Sequence, residues 1–166
     1  GRGSAAAAPA LPPVPAAKPA TDILLVHRPG SVQANLVVGN TTMLPGATNY
    51  YAARLATQVL GGGVDARLFL ILREQKSWTY GAYASLQRRR GLGAWQATAE
   101  VRTEVADSAL REMLTQVERM RTEIVPDSEL TNVKGFMVGA FPLPIETPSQ
   151  VASQVAMVRR LGLPAD

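Results

Sequence analysis

Two side chains with complementary chemistry, Arg73 and Tyr80, lie seven positions apart near the middle of the chain. A tyrosine phenol has an ordinary pKa of about 10, so it stays protonated at neutral pH and can donate a hydrogen bond. One such donor, aimed at a carbonyl oxygen that becomes an oxyanion, supplies about 2.7 to 4 kcal/mol of transition-state stabilisation. Arginine carries a permanent charge on a planar fork of donors that suits peptide carbonyls or a carboxylate. The pair can therefore bind and orient a substrate, but it supplies no base, nucleophile or metal ligand.

Three consecutive glycines, Gly61, Gly62 and Gly63, precede Arg73. Glycine adopts positive φ without the steric penalty that a Cβ imposes. We therefore interpret the run as a structural turn that ends a helix, passes through positive φ and brings Arg73 close to the site. A glycine run can also cradle a phosphate at a helix N-terminus. No strand directly precedes this run and no Lys-Ser or Lys-Thr pair follows it, so a nucleotide site has little support.

The composition restricts the kinds of site that the chain can form. The 166 residues contain no cysteine and one histidine, His27. Because protein zinc sites draw on several His or Cys ligands, we expect no metal site in this chain and interpret His27 as a structural turn residue. The formal charge of +4 is a mild bias that names no partner. No apolar run approaches the roughly 20 residues that a membrane-spanning helix needs.

The strands that must position the pair are predicted from alternating apolar residues and from turn signals. Pro29-Gly30 is a turn signal between the first two strands, and Gly91-Leu92-Gly93 connects a pair of strands later in the chain. The predicted strands are Ile23–Val26, Val32–Gly39, a strand that begins with Tyr80, Ala82 and Ala84, and Ala94–Val101.

Helical periodicity surrounds these strands and fills the last third of the chain. Thr147 and Gln150 form a predicted capping box with Pro148 at the first helical position. The predicted helices are Asn49–Leu60, a short helix through Leu68 to Leu72, a helix from Ala106 to Met120, one that starts at Pro126-Asp127, and one that starts at Thr147. This pattern predicts an α+β fold with helices packed on one face of a mainly antiparallel sheet.

The chain divides into two predicted regions. Residues 1–21 contain five prolines from Pro9 to Pro19 among alanines, a composition typical of a disordered linker or leader, and the first glycines are interpreted as a cloning remnant. Residues 22–166 are predicted to form a single α+β domain. Because only about four strands are visible, we expect this domain to be a truncated half-domain that is incomplete at its C-terminus.

The segments Leu60-Gly61-Gly62-Gly63, Arg67-Leu68-Phe69, Leu72-Arg73-Glu74 and Tyr80 together resemble a known signature. It belongs to the C-terminal, zinc-free half of insulinase/pitrilysin-type metallopeptidases, which include the mitochondrial processing peptidases and many bacterial members. The resemblance continues through Glu129-Leu130 to Lys134 and through Gly139-Ala140-Phe141-Pro142 to Glu146-Thr147, and covers roughly Ile23 to Asp166. Two departures, Val64-Asp65-Ala66 and the bulky Trp78, affect the expected shape of the local pocket.

The resemblance implies a division of labour between two halves of a peptide-bond hydrolase. In this family the other half carries an inverted H-x-x-E-H helix that binds zinc, a motif that this sequence lacks. Zinc is therefore expected in the partner half only, and the isolated chain is expected to be inactive. Arg73 and Tyr80 would bind an extended peptide substrate across a closed chamber. The implied partner is a zinc-binding N-terminal half, either fused upstream or a separate subunit.

Two other functions remain open from the sequence. The chain could be a degenerate structural subunit of the same fold, in which Arg73 and Tyr80 serve packing. It could also be a basic nucleic-acid-binding module, because Arg88-Arg89-Arg90 lies between Trp78 and Trp95 in sequence. A charged hairpin tip explains that cluster more simply, so no nucleic-acid partner is expected. The segment Lys76 to Tyr80 is similar to that of bacterial members of the family. This similarity favours a bacterial exported protein of the periplasm or cell envelope, with the cytoplasm as the alternative.

Overall fold

The computed structural model describes residues 20–43 and 46–163. Most of the predicted linker, residues 1–21, lies outside the described residues, as do positions 44–45 and 164–166. Within the described part, no helix is both long and apolar enough to span a membrane.

Three antiparallel strands form the sheet of the described residues, in the order β1-β3-β2. The strands are β1 (Gln33–Thr41), β2 (Thr79–Leu86) and β3 (Ala94–Arg102). The central strand β3 pairs with β1 on one side and with β2 on the other. The predicted pairing of the last two strands is thereby confirmed, and so is the predicted turn at Pro29-Gly30, where Gly30 has a φ of +75°.

The helices lie within two residues of the predicted ends, except the second one, which was predicted to end at Leu72 but continues through a π-helical turn to Gln75. They are α1 (Tyr50–Gly61), α2 (Arg67–Phe69) with a π-helical turn (Leu70–Gln75) directly after it, α3 (Ala106–Thr122), α4 (Asp127–Ala140) and α5 (Pro148–Leu161), with short 3-10 turns at Thr103–Val105 and Leu143–Ile145. The capping box at the start of α5 is confirmed. The backbone amide of Gln150 donates to Thr147 Oγ1 over 3.3 Å, and the backbone amide of Thr147 donates to Gln150 Oε1 over 2.9 Å.

The core lies between the sheet and the layer formed by α1, α2 and α3. The sheet contributes small side chains to it, because Ala82 on β2 and Ala97 and Ala99 on β3 face the helices and are buried. Small residues at these positions allow the helices to approach the sheet closely, and larger side chains from the helices then fill the space. The largest fully buried side chains are Leu68, Leu72, Val101 and Met113. Helices packed on one face of an antiparallel sheet confirm the α+β prediction.

The prediction of a first strand at Ile23–Val26 is wrong for this structure. These four residues form no strand, and their exposed fractions range from 77% to 89%. A strand needs a neighbouring backbone to satisfy its amide and carbonyl groups, and no strand of the described residues pairs with this segment. The apolar pattern is therefore present without the pairing that would make it a strand.

The glycine run ends α1 as predicted, but the prediction that it turns through positive φ is wrong. Among the described glycines, positive φ values occur only at Gly30 and Gly162. Gly61 instead serves close packing, because a Cβ on this residue would lie 2.8 Å from the Tyr83 carbonyl carbon and closer still to the Ala84 amide nitrogen. The absence of a side chain lets the end of α1 touch the backbone of β2.

Helices α4 and α5 pack more loosely than the rest. Neither helix has a buried residue, and Phe136 and Phe141 are 59% and 67% exposed. An ion pair anchors α4, because Arg67 Nη2 lies 2.8 Å from Glu129 Oε2. Arg67 is largely buried, so loss of Glu129 would leave a buried charge without its partner.

We predict that Gly61→Ala lowers the free energy of unfolding by about 1 to 3 kcal/mol, because the added methyl group must displace the backbone of β2. Gly135→Ala is the matched control. It adds the same methyl group within α4, where no atom lies within 4 Å, and helix propensity predicts a gain of about 0.5 to 1 kcal/mol. Urea unfolding followed by circular dichroism measures both changes. Equal midpoints for Gly61→Ala and the parent chain would contradict the close contact.

Candidate functional site

The structure brings Arg73 and Tyr80 into direct contact. The Arg73 Nη1 group donates a hydrogen bond to the backbone carbonyl oxygen of Tyr80 over 2.8 Å. The guanidinium carbon of Arg73 also lies 4.5 Å from the centre of the Tyr80 ring, within the range of a cation–π interaction. The arginine therefore restrains both the backbone and the ring of the tyrosine.

A tight reversal of the chain explains why a spacing of seven residues allows this contact. Arg73 lies in the π-helical turn, where the Lys76 amide donates to the Ile71 carbonyl over 3.0 Å. Ser77 then adopts a φ of +53°, an uncommon conformation for a residue with a side chain. The Trp78 amide donates back to Leu72 over 2.9 Å. The chain thus leaves the turn and enters β2 beside the residues that it has just passed.

A second aromatic ring also contacts the guanidinium. Phe69 lies one helical turn before Arg73, and its ring centre is 4.9 Å from the guanidinium carbon. The Nε group of Arg73 lies 3.3 Å from Glu74 Oε1. Two rings, one carboxylate and one carbonyl therefore hold the arginine, and cation–π contacts at such partly exposed positions contribute about 0.5 to 1 kcal/mol each.

A β-bulge in β2 decides where the Tyr80 side chain points. Thr79 pairs with Val101 and Ala82 pairs with Ala99, so β2 has one more residue in this interval than β3. Simple alternation would place Tyr80 on the same face as Ala82, which is buried against the helices. The extra residue turns Tyr80 away from them, and its exposed fraction is 84%.

The hydroxyl of Thr79 holds the bulge in place. Its Oγ1 atom accepts a hydrogen bond from the Gly81 amide over 3.1 Å and lies 2.8 Å from the Gly81 carbonyl oxygen. It is also within hydrogen-bonding distance of the Glu100 carbonyl oxygen on β3. A hydroxyl carries one proton, so it donates to one of these carbonyls at a time. Thr79 thereby connects the bulge in β2 to the neighbouring strand β3.

Tyr80 borders a depression of about 540 Å³ on the sheet face that the helices leave open. Tyr83, Thr98 and Val37 lie side by side across the three strands and form one part of its floor. The Tyr83 ring lies over Gly81, since a Cβ on that glycine would be 2.7 Å from Tyr83 Cε2. The depression is therefore lined by apolar and aromatic surface next to an exposed phenol.

Several residues of the site were not identified from the sequence. Phe69 could have been, because residues four apart lie on the same face of a helix and Phe69 precedes Arg73 by four. Thr79, Gly81 and Tyr83 carried no comparable signal. Their roles depend on the bulge, and alternating apolar residues do not reveal an inserted residue. Glu100 was missed for the same reason.

The other residues noted in the sequence lie elsewhere. Trp78 does not line the depression: its half-buried ring packs against the core, and the Lys76 ammonium lies 4.7 Å from the ring centre. In the arginine cluster, Arg88 donates to the Tyr50 hydroxyl over 3.3 Å and contacts Met157 Sδ at 3.2 Å. His27 is exposed. Nowhere in residues 20–43 and 46–163 do three or more His, Cys, Asp or Glu side chains form a group that could hold a metal ion.

Comparison with known proteins gives a consistent result. The family model described as "Peptidase M16 inactive domain" matches residues 2–136, which is most of the chain. No curated protein matches the sequence. Solved structures show the same fold with low identity. A peptidase M16 inactive domain from Pseudomonas fluorescens is 22% identical with a TM-score of 0.75, and the match covers 81% of this chain and 32% of that one.

Two further structures support the fold. A protease from Helicobacter pylori is 18% identical, with a TM-score of 0.75, and the match covers 82% of this chain and 33% of that one. The inactive peptidase domain of a proposed zinc protease from Bordetella parapertussis is 15% identical, with a TM-score of 0.67, and the match covers 84% of this chain and 76% of that one. The chain thus spans about a third of the Pseudomonas and Helicobacter chains.

We predict that Thr79→Val lowers the free energy of unfolding by about 1 to 2 kcal/mol, because it removes the hydroxyl that ties the bulge together. Hydrogen exchange of the Gly81 amide should become faster in the same variant. The matched control is Thr98→Val, which changes a half-buried threonine of β3 whose side chain makes no hydrogen bond within the described residues. We expect that control to stay within about 0.5 kcal/mol of the parent chain. Unchanged exchange at Gly81 in Thr79→Val would show that the hydroxyl does not hold the bulge.

Proposed function

Because the chain belongs to the family of peptidase M16 inactive domains, we propose that it is the C-terminal, non-catalytic half of a zinc metalloendopeptidase. In this proposal the chain closes one side of the peptidase chamber. Its open sheet face holds an extended peptide against the zinc-binding half, which is either fused to this chain or a separate subunit. The open face is available for this purpose because the core helices pack on the opposite face of the sheet.

The exposed phenol of Tyr80, restrained by Arg73, is the observation that carries the proposal. An exposed tyrosine on a strand normally has several rotamers, and ordering it on binding costs conformational entropy. Here the bulge fixes the backbone, and the guanidinium 4.5 Å from the ring restricts the side chain. A donor held in place before the substrate arrives is what stabilisation of a developing oxyanion requires.

Tyr80 and Arg73 would have different tasks. The Tyr80 hydroxyl would donate to the oxygen of the scissile carbonyl and bind it more strongly as negative charge develops there. Arg73 already uses one donor for the Tyr80 carbonyl, and a guanidinium has five donors in total. It would hold Tyr80 in position and offer the remaining donors to a neighbouring peptide carbonyl.

The cleavage chemistry would belong to the other half. The described residues contain no cluster that fits a zinc ion, and the roles proposed for Tyr80 and Arg73 are those of hydrogen-bond donors. The zinc implied by the family is therefore assigned to the partner half, and no step of the reaction is assigned to a metal on this chain. Alone, the chain should bind peptide without hydrolysing it.

We predict that Tyr80→Phe lowers kcat about 100-fold to 1000-fold when the chain is combined with its zinc-binding half, whereas KM changes little. The phenol would interact most strongly with the transition state, so its loss appears in kcat. Turnover of a quenched fluorescent decapeptide measures the effect. Tyr51→Phe is the matched control, since Tyr51 is 69% exposed on α1 and its hydroxyl makes no hydrogen bond within the described part of the chain.

A second candidate function is supported by the contacts of Arg73. Its guanidinium contacts Phe69, Glu74 and Tyr80, so it contributes to local packing whether or not a peptide is bound. A structural subunit of the same fold would keep the pair for packing alone. In that case Tyr80→Phe would leave the turnover of the assembled protein unchanged, and the proposal of a catalytic contribution would fail.

A further inference from the structure

We infer that the depression beside Tyr80 is a specificity pocket for a lysine or arginine side chain of the peptide, with Glu100 as the partner of its charge. The inference rests on the proposed function and adds the class of substrate residue that this face selects. Of the described residues that line the depression, Glu100 is the only charged one. What Glu100 can bind depends on its position in the sheet, on the residues around it and on whether a cation of this chain already pairs with it.

Glu100 lies on the open face, two residues before the last residue of its strand. It belongs to the middle strand β3, where Asn35 of β1 is its direct neighbour on one side. On the other side is the bulge formed by Tyr80 and Gly81. Its side chain is exposed and, within the described residues, forms no ion pair and accepts no hydrogen bond. An exposed carboxylate beside Tyr80 is therefore free to bind a cation from a substrate.

The nearby cations of the chain are already engaged. Arg102 is on the same face of β3, two residues beyond Glu100, but its Nε lies 3.1 Å from Glu104 Oε1. Arg73 is also engaged, because its Nε lies 3.3 Å from Glu74 Oε1 and its Nη1 donates to the Tyr80 carbonyl oxygen. Neither guanidinium forms a pair with Glu100, so the depression presents a net negative charge to a ligand.

The walls of the depression fit the rest of a basic side chain. Lysine and arginine have long apolar stems that favour contact with apolar surface while the charged end remains polar. Tyr83 is 45% exposed and Val37 is 64% exposed, and both offer such a surface across neighbouring strands. The phenol face of Tyr80 or Tyr83 can add a cation–π contact. An acidic side chain would meet the same apolar walls but would be repelled by Glu100.

The position of Glu100 relative to Tyr80 would link the choice of substrate residue to the peptide bond that is cleaved. Glu100 lies opposite the bulge that carries Tyr80, and neighbouring strands are about 4.8 Å apart. A basic side chain held at Glu100 would therefore place a peptide bond only one or two residues away within reach of the Tyr80 hydroxyl. The proposed pocket thus sets the register of the peptide relative to the reacting bond.

The test uses the chain assembled with its zinc-binding half and a set of quenched fluorescent decapeptides. Each peptide carries Lys, Met or Glu at one position in turn, in an otherwise uncharged background. At one position we expect kcat/KM for Lys to exceed that for Met by about tenfold, the size of effect that a charge-assisted hydrogen bond produces. Glu100→Gln should remove this advantage mainly through KM, and Glu100→Lys should reverse it in favour of Glu. Glu146→Gln, which removes an exposed carboxylate outside the depression, should leave it unchanged.

The outcomes separate this inference from the proposed function. If Tyr80→Phe slows turnover but the Lys advantage is absent or persists in Glu100→Gln, the pocket is disproved and the proposed function stands. A preference of the parent protein for Glu at every position also disproves it. If Tyr80→Phe has no effect on turnover, or if no peptide is cleaved, the inference is tested by binding instead. The affinities for labelled Lys and Glu peptides are then measured by fluorescence anisotropy. Tighter binding of the Lys peptide that disappears in Glu100→Gln supports the pocket, and equal binding overturns it.

Discussion

The extra residue in β2 is the constraint on which the site depends. Without it, Tyr80 would share the face of Ala82 and would have to be buried against α1 and α2, where the neighbouring sheet residues are alanines. A buried phenol of that size would need both space and a hydrogen-bond partner. The bulge avoids both requirements and places the phenol on the open face. One hydroxyl, that of Thr79, connects the residue before the bulge to Gly81 within it and to the neighbouring strand.

Small residues where α1 meets β2 also help to position the site. Because Gly61 carries no side chain and Ala84 a small one, α1 contacts the β2 backbone directly. The π-helical turn is consequently held against β2 as well, and the Arg73 guanidinium reaches the Tyr80 carbonyl at 2.8 Å. Larger residues at the contact between α1 and β2 would push the helix layer away from the sheet. The packing of the core and the geometry of the site are thus set by the same close approach.

Much of the fold follows from the sequence, and the exceptions share a cause. Periodicity located α1, α3 and the hairpin of β2 and β3, because each of these signals depends on local residues. The failures depend on distant partners. Ile23–Val26 has a strand pattern but no neighbouring strand within the described residues. Within the glycine run, Gly61 is required by a contact with β2, and no glycine of the run has positive φ. Likewise, the seven-residue spacing of Arg73 and Tyr80 suggested that the two residues act together. Only the bulge in β2 shows that the Tyr80 side chain lies on the open face of the sheet.

Under the proposed function, the chemistry of the site operates in a two-part enzyme. A hydrogen-bond donor that is restrained before substrate arrives loses little entropy when it binds, so its interaction can be concentrated on the transition state. A donor of this kind accelerates nothing without a nucleophile on the opposite side of the carbonyl. The described residues offer a restrained phenol, a stacked guanidinium and an unpaired carboxylate on one open face, and no group of side chains that could hold a metal. Under the proposed function, such a face becomes functional when a second half supplies the attacking group across the bound peptide.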